Sequence, residues 1–203
     1  MFYIVGVAHR VQSKRKGMED SEDQRQFREC MANAIQRFKP TLIAEEFSAH
    51  ALEKLRTDTG AEHESVTRAA AESLGIEHRF CDPNDEERAK MRYVEGSQLA
   101  LQIALNNNEG LSNAEVNNRG FAIEIAKYWP LREQFWLDRL SDIKNRDLLF
   151  VCGDAHIETF TELLRQAGIT WTIITRQIGV TQRDLEFWEA TTKYLDAHPE
   201  LRR

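Results

Sequence analysis

The chain opens on a run of apolar, strand-favouring residues from Phe2 to Ala8. A run with no polar interruption suits a β-strand covered on both faces. A charged stretch from Arg10 to Asp23 follows, and Ser21 with Gln24 three residues later forms a capping box. Behind it Phe27, Met31, Ala34, Ile35 and Phe38 recur at helical spacing until Pro40 ends the pattern. Thr41 to Ala44 then predicts a second buried strand, running into Glu45 and Glu46. Helical segments follow from about Ser48 to Arg56 and from about Glu62 to Leu74, the latter closed by Gly75.

Ile76 to Phe80 predicts a third strand, closed by Cys81-Asp82-Pro83. Asn84 with Glu87 forms another capping box, opening a helix that extends to Leu105. The polar turn from Asn106 to Gly110 breaks the chain, and Ser112 to Lys144 is helical again with an interruption near Pro130. Leu148 to Cys152 is a fourth strand, Ile157 to Ala167 a helix, and Ile169 to Thr175 a fifth strand. The stretch from Thr181 to Ala197 is an amphipathic helix carrying Leu185, Trp188 and Leu195. Strands alternating with helices indicate an α/β fold, a mostly parallel central sheet flanked by helices. The helical stretch at about 84–144 is an insertion between the third and fourth strands, expected to cap one end of the sheet. The whole chain, 1–203, is expected to form a single domain.

Composition narrows the function classes. The chain has 203 residues, 41% hydrophobic and 30% charged, with 27 Lys plus Arg against 33 Asp plus Glu and a formal net charge of −6. A mildly acidic chain of this kind excludes collagen-like and disordered classes and offers no broad cationic field for nucleic acid or anionic membranes. No apolar run approaches the roughly 20 residues of a membrane-spanning helix. The start lacks the basic region and long apolar core of a signal peptide and reads as a strand. Cys30, Cys81 and Cys152 are odd in number with no Cys-x-x-Cys spacing, which points to free thiols and a reducing cytoplasm.

The chemistry concentrates where strands end, because open α/β sheets bind ligands outside the carboxyl ends of their strands. The first strand ends in Gly6-Val7-Ala8-His9 and the fourth in Gly153-Asp154-Ala155-His156. Gly-x-x-His occurs four times, where composition alone predicts about 0.3 occurrences. Only His9 and His156 share the fuller context of an apolar strand followed by Gly-x-Ala-His. Glu45 and Glu46 end the second strand and Asp82 follows the third. Adjacent glutamates in a strand face opposite sides, so one of the two enters the site and the other serves elsewhere. Two imidazoles and a carboxylate make a donor set for a divalent transition metal with positions open to water. Asp82 could orient a histidine from behind or form a turn ahead of Pro83. Arg132, in Leu-Arg-Glu-Gln-Phe-Trp, could steady an oxyanion or bind a carboxylate. Lys14, Arg15 and Lys16 could guide an anionic substrate, although a solvated loop is the simpler reading of them. Cys152 reads as a small buried residue.

These motifs resemble the Tiki/TraB/PrgY/GumN superfamily, related to erythromycin esterase and the ChaN-like proteins. The resemblance rests on Gly6 to His9, on Glu46-Phe47 after a proline-led strand, on Asp82 after the third strand, on Arg132 with Phe135 and Trp136, and on Gly153 to Ile157. It covers the chain up to about Thr175. It implies an α/β fold with a metal-assisted hydrolytic site built on both histidines, the glutamate and the arginine. Relatives include metal-dependent proteases, lactone-opening esterases and haem binders. The arginine motif departs from the relatives' frequent Glu-Arg, and the membrane helix of TraB-like members is not predicted here.

The expectation is a soluble hydrolase of peptide or ester bonds in a small-molecule or peptide substrate. His9, Glu46 and His156 are expected to hold a Mn, Co or Zn ion whose bound water attacks. Arg132 is expected to steady the oxyanion, with Glu45 or Asp154 taking the proton and Asp82 behind the ligands. A non-catalytic ligand binder of the haem type is the alternative. A further one is an interaction module whose C-terminal helix, with Phe187, Trp188 and Tyr194, pairs two protomers into a homodimer.

Overall fold

A computed structural model describes residues 1–143 and 146–202. Lys144, the expected end of the helical insertion, lies outside that description. The chain divides into two compact units, Met1–Asn84 with Phe135–Val180, and Asp85–Gln134 with Thr181–Arg203. Residues 85–134 of the insertion therefore group with the C-terminal segment, and Phe135 onward groups with the strands.

The first unit is built on five parallel strands, β1 (Phe2–Val7), β3 (Leu42–Glu45), β5 (Glu77–Phe80), β6 (Leu148–Gly153) and β7 (Trp171–Ile178), in the order β5-β3-β6-β1-β7. The unbroken apolar runs arise because both faces are covered. Phe2, Ile4, Leu42, Ala44, Leu148 and Phe150 face one way, where Trp136 of helix α8 (Trp129–Arg139), Leu140 just after it, and Phe160 and Leu164 of α9 (Ile157–Gln166) close a core. Val5, Val7, Ile43, Leu149 and Val151 face the other way, onto α1 (His9–Gln12), α2 (Glu22–Phe38) and α4 (Val66–Ser73) through Val11, Phe27, Met31, Val66 and Ala71. Side chains two apart share a face, so each strand feeds two cores. α2 begins as its sequence predicts: Ser21 accepts from the Gln24 amide at 3.2 Å, and the Gln24 side chain accepts from the Ser21 amide at 3.0 Å.

The helix expected from Glu62 starts later. Ser65 Oγ accepts from the Arg68 amide at 3.0 Å and caps α4, which leaves His63–Ser65 (β4) extended and paired antiparallel with Ser13–Arg15 (β2). α3 (Ala49–Thr59) precedes it and ends on Gly60 in the left-handed conformation. The last strand starts later and runs longer than its apolar core, to Ile178, because β1 continues to pair with it.

The second unit contains α5 (Asp85–Lys90), α6 (Gly96–Leu105), α7 (Asn113–Ile123), a π-helical turn at Glu124–Tyr128, the first part of α8 and α10 (Gln182–Ala197). The helix expected from Asn84 to Leu105 is two helices, since Arg92 adopts φ +53 between them. The interruption expected near Pro130 is the π-helical turn just before it. α6 and α7 touch backbone to backbone: a β-carbon on Gly120 would lie 2.6 Å from the Ala100 amide and the Gly96 carbonyl. Phe121, Phe187, Trp188 and Trp129 form an aromatic cluster with centroid separations of 4.9 to 6.0 Å. Glu124, buried, accepts from the Gly96 amide at 2.8 Å and from the Tyr93 hydroxyl, so it caps α6 from outside that helix. Among the described residues no helix is long and apolar enough to cross a membrane.

Candidate functional site

The strand order sets three consecutive carboxyl ends side by side: β3, β6 and β1. The sheet ladder continues past β3, with the Glu46 amide donating to the Val151 carbonyl at 2.8 Å, which fixes the direction of the Glu46 side chain. The Gly153 amide at the end of β6 donates to Glu46 Oε2 at 2.6 Å. The other oxygen, Glu46 Oε1, stands 3.4 Å from His9 Nε2 and 3.5 Å from His156 Nε2. Glu46 and His156 are buried, whereas the His9 side chain is 62% exposed and is the member that solvent reaches.

At both glycines of the matched motifs an added β-carbon would force neighbouring side chains to shift. A β-carbon on Gly6 would overlap Ile157 and lie 2.6 Å from Asp154 Oδ1. One on Gly153 would overlap the His9 ring. Trp136 was not singled out for its chemistry by sequence. Its ring meets His156 edge to face with centroids 5.0 Å apart, and its Nε1–H donates to Asp82 Oδ1 at 3.1 Å. Asp82 thus holds the indole that packs on the imidazole. The spacing of Trp136, Leu140 and Ile143 marks a core stripe, but nothing local marks the pairing with Asp82.

The adjacent glutamates separate as parity requires. Glu45 Oε1 accepts from Ser65 Oγ at 2.5 Å and lies 2.9 Å from His78 Nε2, so this fully buried carboxylate ties β3 to β5 and to the cap of α4. Asp154 Oδ1 accepts from the Gln177 amide at 3.0 Å and from Arg176 Nε at 3.2 Å, a tie that holds Gln177 at φ +64. Glu45 Oε1 and Asp154 Oδ1 are thus both engaged in hydrogen bonds that tie neighbouring elements together. Arg132 belongs to the second unit, where it is mostly buried. Its guanidinium draws the Tyr93 phenol down against a larger upward push from burial, leaving that group above its ordinary range.

Two of the three basic side chains of the loop meet carboxylates. Lys14 lies 2.7 Å from Asp20 and 3.6 Å from Glu64, and Lys16 lies 3.4 Å from Glu62. The three thiols are free. Burial pushes Cys81 up to about 12 and raises Cys30, so neither is poised as a nucleophile. The Glu46–imidazole pairs supply the donor types of a transition-metal centre. Among the described residues no group of three or more His, Cys, Asp and Glu side chains is placed to hold a metal ion. No protein-family model, curated protein or solved structure matches this chain.

Proposed function

We propose that this chain is a divalent-metal-dependent hydrolase acting on an acyl bond, peptide or ester, of a small molecule or peptide. The observation that carries the reading is the shared oxygen, Glu46 Oε1, at 3.4 and 3.5 Å from two imidazole nitrogens. Those separations exceed an ordinary N–H···O bond of about 2.7–3.2 Å. They suit donors at neighbouring positions around one ion, which stand about 3.0–3.4 Å apart when each lies about 2.1 Å from it.

His9, Glu46 and His156 are the residues that would hold the ion, and nitrogen-rich donors favour Mn, Co or Zn over Mg or Ca. Such an ion would polarise a substrate carbonyl and make water nucleophilic near neutral pH. The Gly153 amide keeps Glu46 Oε2 turned inward, so that Oε1 faces the imidazoles. His156 is held by packing against Trp136. Solvent-facing His9 is the side chain that would turn to complete the set, and substrate would approach from its side.

Isothermal titration of the tag-free chain with Mn2+ and Zn2+, beside a panel of chromogenic esters and peptides, tests this. One ion per chain is expected, bound at least about tenfold more weakly by His9→Ala and by His156→Ala, with hydrolysis lost in both. A chain that binds no ion, and hydrolysis indifferent to both substitutions, would overturn the reading.

A further inference from the structure

We infer that the chain forms a two-fold dimer through the outer edge of β7 and the exposed stripe of α2 beside it, the partner being a second copy of the chain. Among the described residues β7 is paired on one side only, with β1. It spans eight residues, Trp-Thr-Ile-Ile-Thr-Arg-Gln-Ile, with a single charged side chain and no proline or lysine to block further pairing. Thr172 and Ile173 are exposed.

The centre of β7, Ile174 and Thr175, borders a groove of 340 Å³ whose other wall is the outer side of α2. On that wall Glu29, Asn33 and Arg37 follow one another at intervals of four, which sets them in line along one helix face. All three are exposed, and neither Glu29 nor Arg37 makes an ion pair within the described residues. Arg37, which lines the groove, rests on the Phe38 ring, 4.9 Å from its centroid.

This stripe is complementary to itself. Asn33 lies midway between the acid and the base, so a two-fold axis beside it places Glu29 opposite Arg37 of the partner subunit, twice per dimer. Asn33 then faces its own copy, whose amide can both donate and accept. The same axis at the centre of β7 sets Ile174 against its copy, Ile173 against Thr175 and Thr172 against Arg176, with no like charges opposed. Antiparallel pairing of the two edges would join two five-stranded sheets into one of ten, and it would cover the row of backbone groups that β7 exposes. Strand pairing supplies the contact and the helix charges supply the register.

Sedimentation velocity of the full chain over a concentration series tests this, and it is independent of any hydrolytic activity. A mass of twice 23.5 kDa is expected. Glu29→Arg or Arg37→Glu alone should weaken the dimer at least about tenfold, since each opposes like charges twice. The double reversal should recover the wild-type constant within about threefold, and an equal mixture of the two single variants should form a mixed dimer. Circular dichroism checks that the exposed substitutions leave the fold intact. A monomer at every concentration up to about 100 μM, or a dimer indifferent to both reversals, would overturn the proposal.

Discussion

The imidazole of His9 occupies the space that a side chain at position 153 would need. A β-carbon there would overlap His9 Nε2 and lie 3.0 Å from Cδ2 and 3.2 Å from Glu46 Oε2. Gly153→Ala keeps the backbone amide that holds Glu46, yet it displaces the ring. Metal affinity measured by titration should fall at least about tenfold, while the stability loss stays near the about 1–3 kcal/mol of an overpacked site. Unchanged affinity would show that His9 is not held by this contact.

Trp136 joins Asp82 to His156, and its two contacts can be separated. Trp136→Phe preserves a ring beside the imidazole but removes the Nε1–H that Asp82 accepts. Urea denaturation should show a loss of about 1–3 kcal/mol for Phe and about 3–5 kcal/mol for Ala. If Phe and Ala are equally costly, the hydrogen bond and not the ring dominates.

In the second unit, Glu124 caps α6 and receives the Tyr93 hydroxyl. Glu124→Ala deprives both donors, and about 2–3 kcal/mol of stability should be lost. Glu124→Gln retains an acceptor and should recover part of it. Thermal melts of the three chains read the order directly.

Asp20 controls part of the acid sensitivity. Burial raises its carboxyl, but the hydrogen bonds and charges of Lys14 and Arg28 outweigh that and leave it below its ordinary value of 3.8. A carboxylate depressed in the folded chain stabilises it above the ordinary value, and that contribution is lost as pH falls through the folded value. Asp20→Asn should therefore be less stable than the parent by about 1 kcal/mol at pH 7, with the gap closing toward pH 3. Urea melts at the two pH values would show a constant gap if the pairing carries no energy.

What sequence reveals here is local. The strand ends carrying His9 and His156 stand out because apolar runs, glycines and histidines recur within a few residues. The start of α2 stands out because Ser21 and Gln24 are neighbours on the chain. The choice between Glu45 and Glu46 depends on strand parity, which the register against β6 and β5 settles, and no counting from Pro40 could supply it. Ser65 was hidden in a helical pattern because a cap and a helix interior differ in backbone angles, not in polarity. The contact of Trp136 with Asp82 spans 54 positions and leaves no periodic trace.

The strand order also has a consequence in time. β1 and β3, which present His9 and Glu46, are not neighbours until β6 enters between them. A growing chain therefore holds two of the three candidate residues before the strand that brings them together has been made. During that interval β1 and β3 each expose an edge that only a distant segment can fill, a slow closure of the kind that long sequence separation imposes. The arrival of residues 148–156 fills the gap between β1 and β3 and brings His156 to the other two, with β7 still to join the far edge of β1. A chain cut short before Gly153 would therefore lack the candidate site and keep those two edges open.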